Sequence, residues 1–148
     1  MDEPAELIEF LAPYPQELQE EALKARQFLF DLLSPVTELH YDATAAVCAG
    51  FGYTPRLTDY FVNIAVYSSH MNLVFPWGGR LQDPERRLVG EGARVRHIKL
   101  RSAEDLKDPY VLDLISQAAE SAPRRDNRES PTRVVKIYEG AKRRPKQT

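Results

Sequence analysis

The sequence of 148 residues has little of what marks a secreted, zinc-bound or membrane-spanning protein. Its one cysteine, Cys48, has no partner for an intrachain disulfide, and three scattered histidines do not complete a zinc-type ligand pattern. No apolar run approaches the roughly 18 residues of a membrane span. The start Met1-Asp2-Glu3-Pro4 is acidic where a secretory signal is basic and then apolar. We therefore expect a cytoplasmic protein without a structural metal.

The sequence also lacks recognised motifs for catalysis or phosphate binding. No serine or cysteine lies in a G-x-S-x-G frame. The glycines of Gly78-Gly79 and Gly90-Glu91-Gly92 precede a predicted loop and a predicted strand, whereas a phosphate loop needs its glycines between a strand and a helix. An enzyme is therefore the least supported function class, and its active site would have to assemble from distant segments.

Residues that often carry chemistry have simpler structural explanations here. The three histidines fall on different predicted strands or turns, which favours structural roles for His40, His70 and His97. Cys48 fits a small buried hydrophobic residue. Asp42 and Asp59 are expected to cap turns. The alternative, a pair of catalytic carboxylates, requires the strands to bring these two residues together.

Charge is distributed unevenly along the chain, although the net charge is only −2. Residues 1–122 hold 11 Lys or Arg against 19 Asp or Glu, a net charge of −8. Residues 123–148 hold 9 against 3, a net charge of +6. The sequence thus predicts an acidic domain, residues 1–122, followed by a basic and mostly disordered tail, residues 123–148. The run Val134–Tyr138 is interpreted as an incidental apolar patch in this tail, with docking on the domain as the alternative.

Apolar residues at helical spacing predict three helices, over residues 4–11, 15–33 and 108–122. Prolines suit the first turn of each, at Pro4, Pro15 and Pro109. A fourth, short helix is expected after Asp83-Pro84-Glu85, ending near Gly90. One further helical turn is expected where Ser102 and Asp105 form a capping box.

A two-residue periodicity of apolar, β-branched and aromatic residues predicts five strands: Val36–Tyr41, Ala46–Tyr53, Tyr60–Tyr67, Met71–Phe75 and Arg94–Leu100. The third is apolar on both faces and is expected at the centre of the sheet. In the fifth, the apolar phase shifts between Val95 and Ile98, which predicts a bulge. The element order predicts an α+β fold: an antiparallel sheet of about five strands with the N-terminal and C-terminal helices packed on one face.

Three stretches of sequence together resemble a known family. They are the string Gly50–Leu57, the run Ile64–Leu73 and the glycine-then-basic strand Gly90–Leu100. These stretches resemble the YdhG-like family, also called domain of unknown function 1801, over about residues 10–122. The resemblance implies a small α+β domain that is compared with the frataxin-like iron carriers. It implies no catalytic motif.

If the frataxin-like comparison extended to iron, the early helices would need an exposed acidic ridge. The candidate metal ligands are Glu17, Glu20 and Glu21, with Glu6 and Glu9 before them. The alternative is a solvated helix face, because such faces are commonly acidic for solubility alone. Iron is therefore a candidate cofactor and no other cofactor is implied.

Basic residues cluster in one part of the otherwise acidic domain, and they are Arg86, Arg87, Arg94, Arg96, Lys99 and Arg101. Arg86, Arg94, Arg96 and Lys99 are the candidate anion-binding residues, since forked guanidinium donors suit carboxylate or phosphate. The alternative is that these side chains pair with acids of the same domain or protect a sheet edge. Trp77, with Tyr53, Tyr67 and Phe75, either lines a pocket beside them or packs in the core.

Two function classes fit these features best. The first is a small binding module for an anion, a metal or a protein partner. The second is a nucleic-acid accessory protein that makes weak, nonspecific phosphate contacts through its basic tail. The domain has no recognition helix and no aromatic RNA-binding strand motif, so only the tail supports the second class. We expect a binding module that does not act at a membrane.

Overall fold

The computed structural model describes residues 4–124 and 130–145. Its helices are α1 (Ala5–Leu11), α2 (Gln16–Leu33) and α3 (Pro109–Ser121). Its strands are β1 (Thr37–Asp42), β2 (Val47–Gly52), β3 (Tyr60–Val66), β4 (Met71–Phe75), β5 (Arg96–Leu100) and β6 (Arg133–Ile137). They form one six-stranded sheet in the order β5-β4-β3-β2-β1-β6. The α+β class and the three main helices predicted from the sequence are confirmed.

The sheet is mixed, which corrects the expectation of about five antiparallel strands. Strands β1 to β5 pair antiparallel, but β6 lies parallel to β1 at the sheet edge. The interpretation of Val134–Tyr138 as an incidental patch is therefore wrong, because most of this run forms β6. The five-residue run is too short and too close to charged residues to be recognised without its partner strand. The boundary at residue 122 stays a prediction.

The core lies between the helices and one face of the sheet. Alternate strand residues such as Phe51, Ile64 and Leu73 point into it, as the two-residue period of a strand requires. Leu29 of α2 and Leu114 of α3 are among the helical residues that meet them. Strand β3 is central and buried on both faces, as its sequence predicts.

Two local expectations are wrong. The segment after Asp83 forms a hydrogen-bonded turn, because the Asp83 carboxylate accepts from the backbone N–H groups of Arg87 and Leu88 rather than capping a helix. The bulge predicted near Val95 is absent. Val95 lies before β5, so the shift in apolar alternation between Val95 and Ile98 does not occur within the strand. The pairing irregularity occurs instead between β2 and β3, beside Phe51 and Gly52.

No helix in the described part of the chain has the length and apolar character needed to cross a bilayer. The short turn opened by Ser102 is confirmed as a 3-10 helix over Ala103–Lys107. At the start of α3 the Asp108 carboxylate accepts from the backbone N–H of Tyr110 at 2.9 Å, with Pro109 in the first turn. This well-defined start fixes the helix whose far end borders the candidate site.

Candidate functional site

The candidate site lies where β4 ends and the chain turns through Trp77-Gly78-Gly79. The two glycines are needed because β5 and the loop before it pass very close to this turn. A Cβ on Gly78 would lie 2.6 Å from the Cβ of Arg96, and one on Gly79 would lie 2.4 Å from the carbonyl oxygen of Ala93. The Gly79 N–H donates to the carbonyl oxygen of Arg94 at 2.8 Å, which ties the turn to the loop.

This close approach brings two arginines to the indole ring of Trp77. The guanidinium carbon of Arg94 lies 4.1 Å from the ring centroid, and that of Arg80 lies 4.4 Å from it. Both distances are within the range of cation–π interactions. The indole Nε1–H donates to the backbone oxygen of Thr58 at 3.2 Å, which holds the ring in place.

Neither guanidinium has an acidic partner in the part of the chain that the structure describes. Within residues 4–124 and 130–145, the side chains of Arg80 and Arg94 make no hydrogen bond or ion pair, and both residues are exposed. Asp59, an acid in this region, accepts a hydrogen bond from the Thr54 hydroxyl at 2.6 Å. Two positive charges beside one aromatic ring therefore have their hydrogen-bonding capacity available to a ligand.

A cavity of about 200 Å³ opens beside Trp77. Its walls come from the start of β3, the end of β4 and the C-terminal end of α3. The lining combines polar surface, to which Arg80 and Asp59 belong, with the apolar side chains of Phe61, Phe75, Leu81 and Ala118. Arg94 is outside this lining and adjoins it through the Trp77 ring. Concave sites with an apolar lining and a few placed polar groups are typical of small-molecule binding.

The four predicted anion-binding residues do not come together. Only Arg94 reaches Trp77. Arg96 instead donates to three backbone carbonyl oxygens of the preceding loop, at 2.7 Å to Gly92, 2.8 Å to Val95 and 3.5 Å to Glu91, and so closes that loop. Arg86 is exposed in the turn after Asp83, with a φ of 53°. Lys99 lies in a separate groove.

Two neighbouring basic residues pair with acids of the same domain, which was the alternative to anion binding. Arg87 pairs with Asp108 at 2.9 Å and lies over the Tyr110 ring, and this bond to Asp108 raises the pKa of Arg87. Arg101 approaches Asp105 at 3.7 Å. Arg80, which was not among the residues predicted from the sequence, joins Arg94 at Trp77. The feature of the sequence that could have identified Arg80 is the run Trp77-Gly78-Gly79 directly before it.

The predicted metal ligands are divided as well. Glu17 and Glu21 line a groove of about 410 Å³ with Lys99, Arg101 and His70, whereas Glu20 is outside it. Glu21 is engaged: its carboxylate accepts from the Ala103 N–H at 2.8 Å, and this bond lowers its pKa. No group of three or more His, Cys, Asp or Glu suited to a metal ion occurs in residues 4–124 and 130–145. Iron as a cofactor stays a prediction.

A second polar cluster, which sequence reasoning missed, is buried between α2 and β1. Arg26 is 1% exposed and Glu38 is 2% exposed. Arg26 binds the Glu38 carboxylate with two parallel hydrogen bonds, of 2.6 and 2.7 Å, and His40 Nε2 lies 2.8 Å from the same carboxylate. Arg133 of β6 adds a contact of 3.3 Å. We call Arg26, Glu38 and His40 the buried charge cluster.

The buried charge cluster holds Glu38 in its charged form. Burial disfavours the carboxylate, but hydrogen bonds from Arg26 and His40 and their charges outweigh that cost, and the pKa of Glu38 falls to about 2. The negative charge of Glu38 also helps burial raise the pKa of Tyr60 to about 12. His40 is fully buried, so the cluster has no open access for a substrate.

The remaining candidates have local packing roles. His70 stacks on Tyr67 at 4.9 Å between ring centroids. His97 exchanges backbone hydrogen bonds with Val89. Asp42 binds Lys142 and Arg144 of the C-terminal segment. It lies away from Asp59 in the sheet, so the two residues do not form a pair of carboxylates.

The comparisons with known proteins add no relative. No family model, no curated protein and no solved structure matches this chain. The resemblance to the YdhG-like family therefore stays a proposal, and the site is defined by its own geometry.

Proposed function

We propose that this protein binds a small organic anion with an apolar body in the cavity beside Trp77. The observation that supports the proposal is the pair of arginines, Arg80 and Arg94, that lie over Trp77 without an acidic partner in the described residues. The adjoining cavity of about 200 Å³, which has apolar walls from Phe61 and Phe75, is large enough for a single-ring acid such as phenylacetate.

The chemistry of the two halves of the site complements such a ligand. The carboxylate would accept hydrogen bonds from the guanidinium groups, each worth roughly 1.5–3 kcal/mol. The apolar body would pack against Phe61 and Phe75, which are buried core residues on the cavity wall. Preorganisation by Gly78 and Gly79 lowers the cost of holding the arginines in place. We expect dissociation constants in the micromolar to millimolar range.

The geometry supports the nucleic-acid alternative less. Several cations of the basic tail are engaged within the chain: Arg133 contacts Glu38, and Lys142 and Arg144 contact Asp42. Arg124 lies 3.8 Å from the Tyr53 ring centroid and donates to the Ala119 carbonyl. These pairings reduce the positive charge that the tail presents to phosphate. The YdhG-like resemblance is compatible with a binding module, but it names no residue for this site.

Isothermal titration calorimetry with phenylacetate tests the proposal, with phenylacetamide as the neutral analogue. We expect Arg80→Gln and Arg94→Gln each to weaken phenylacetate binding about tenfold or more, since each removes a charge-assisted hydrogen bond. Arg86→Gln is the matched control, because Arg86 is an exposed arginine that neither lines the cavity nor lies over the Trp77 ring.

The single tryptophan gives a second readout, because selective excitation of Trp77 reports on the site alone. Phenylacetate should change this fluorescence and phenylacetamide should change it much less. Equal binding of the acid and the amide, or equal loss of binding in Arg86→Gln, would overturn the proposal.

A further inference from the structure

The edge of β1 holds the C-terminal segment as a strand. Over β6 the pairing is parallel, and it places Arg133 opposite Glu38 and Val135 opposite His40. At the two ends of this pairing the Glu38 N–H donates to the Thr132 carbonyl at 3.0 Å, and the Tyr138 N–H donates to the Asp42 carbonyl at 2.9 Å. We call residues 132–144 the C-terminal strap and the edge that they occupy the β1 slot.

Charged contacts fix the strap at both ends of the β1 slot. Arg133 lies 3.3 Å from Glu38 at one end. At the other end Asp42 binds Lys142 at 2.8 Å and also binds Arg144. The backbone N–H of Arg143 donates to the Thr44 carbonyl at 2.7 Å. The slot thus recognises a basic strand with cations at two separate positions.

The strap contributes little to the core of the protein. Its apolar side chains are only partly buried: Val135, Ile137 and Tyr138 are 42%, 48% and 40% exposed, and Val134 is half-buried. The buried hydrophobic cluster contains no residue after Ala122 among the described residues. Because burial of apolar surface is the main driving force of folding, we expect the domain to keep its core when the strap leaves the slot. The strap and the slot are therefore separable binding partners.

We propose that the β1 slot accepts the C-terminal strap of a second copy of this chain, which produces a strand-exchanged dimer. Every copy carries both a slot and the strand that fits it in register, so exchange forms the same backbone and charged contacts without any new surface. Exchange competes with the chain's own strap, whose effective concentration is in the millimolar range. The dimer therefore forms at high protein concentration.

Proline substitutions at two adjacent valines distinguish the backbone N–H groups of the strap that face β1 from those that face outward. The Tyr138 N–H points at β1, and the two-residue period of a strand directs the N–H of Val134 the same way and that of Val135 outward. Val134→Pro removes a hydrogen bond to β1, whereas Val135→Pro removes none. The pair is matched in residue type, size and location.

The first experiment uses a fluorescent peptide of residues 131–145 added to the full-length chain. Val134→Pro, which loses its own strap, should bind the peptide in a 1:1 complex. Wild-type protein and Val135→Pro should bind it at least tenfold more weakly, because their slots are occupied. A peptide with Arg133→Gln should bind Val134→Pro more weakly than the native peptide. Failure of Val134→Pro to bind, or loss of its folded domain by circular dichroism, would overturn the proposal.

The second experiment measures mass by analytical ultracentrifugation after refolding at high protein concentration. Wild-type protein and Val135→Pro should form a dimer, and Val134→Pro should stay monomeric since its strap cannot dock. A wild-type chain that stays monomeric, or a Val134→Pro chain that dimerises equally, would contradict strand exchange. Phenylacetate binding should be unchanged in all three proteins, so this result is independent of the proposed function.

Discussion

Two sites in the molecule hold arginine side chains in opposite surroundings. In the buried charge cluster, Arg26 is almost inaccessible, its Nε and Nη2 donate to Glu38, and its Nη1 donates to Gln27. Beside Trp77, Arg80 and Arg94 are exposed and have no acidic partner among the described residues. The difference indicates two roles for arginine. A guanidinium whose partners lie inside the protein stabilises the fold, whereas a guanidinium without an internal partner is available to a ligand.

Substitutions in the buried charge cluster should lower the free energy of unfolding more than substitutions beside Trp77. Glu38→Ala leaves Arg26 buried without its partner, which costs about 3–5 kcal/mol. Arg80→Ala, at the exposed site, should change the free energy of unfolding by no more than about 0.5 kcal/mol. Urea denaturation of the two variants measures both values. Equal effects would remove the distinction between the two sites.

The pH dependence of stability should come from the same cluster. Glu38 has a pKa of about 2 when folded, against an ordinary value of 4.5, so folding favours its charged form. This contribution, of about 3 kcal/mol, is present above the unfolded pKa and is lost as the pH falls from near 4.5 towards 2. Thermal melts of wild-type protein and Glu38→Gln should therefore differ most at neutral pH and converge in acid. A constant difference would contradict the assignment.

Gly79→Ala should have a smaller effect on stability, of about 1–3 kcal/mol, because its Cβ would meet backbone atoms of Ala93. The same displacement should move Arg94 away from Trp77 and weaken phenylacetate binding. Gly50→Ala is the matched control, since its Cβ would have no contact closer than 3.4 Å. Chemical denaturation and calorimetry on both variants test this link between the turn and the site. Unchanged binding in Gly79→Ala would show that the turn does not position the arginine.

Local patterns predicted most of the fold. Helical spacing found all three helices, and strand alternation found β1 to β5 to within about two residues at each end. Strand β6 was not predicted, although docking of Val134–Tyr138 was the stated alternative, because its partner strand is far away in the sequence: Arg133 and Glu38, which pair, are 95 residues apart. Nothing near Arg133 in the sequence indicates that partner.

The sites were harder to predict than the fold for the same reason. Trp77 and Arg94 were identified from residue type, but the grouping with Arg80 depends on two glycines that let separate loops touch. Arg96 and Lys99 share a strand with each other and were grouped by sequence distance, which does not show that one closes a loop and the other faces a different groove. Arg26 is a charged residue beside the apolar stripe of its helix. Charged side chains are usually exposed, so its burial was not expected.

The most direct test of anion binding is a nuclear magnetic resonance titration that follows the single indole N–H signal of Trp77. On addition of phenylacetate, this signal and the Nε–H signals of Arg80 and Arg94 should shift together and saturate. The signals of Arg101 and Arg143 should not move. The double variant Arg80→Gln/Arg94→Gln should lose the Trp77 shift. A saturating shift confined to Arg101 or to the C-terminal arginines, with Trp77 unaffected, would contradict the assignment of the anion site.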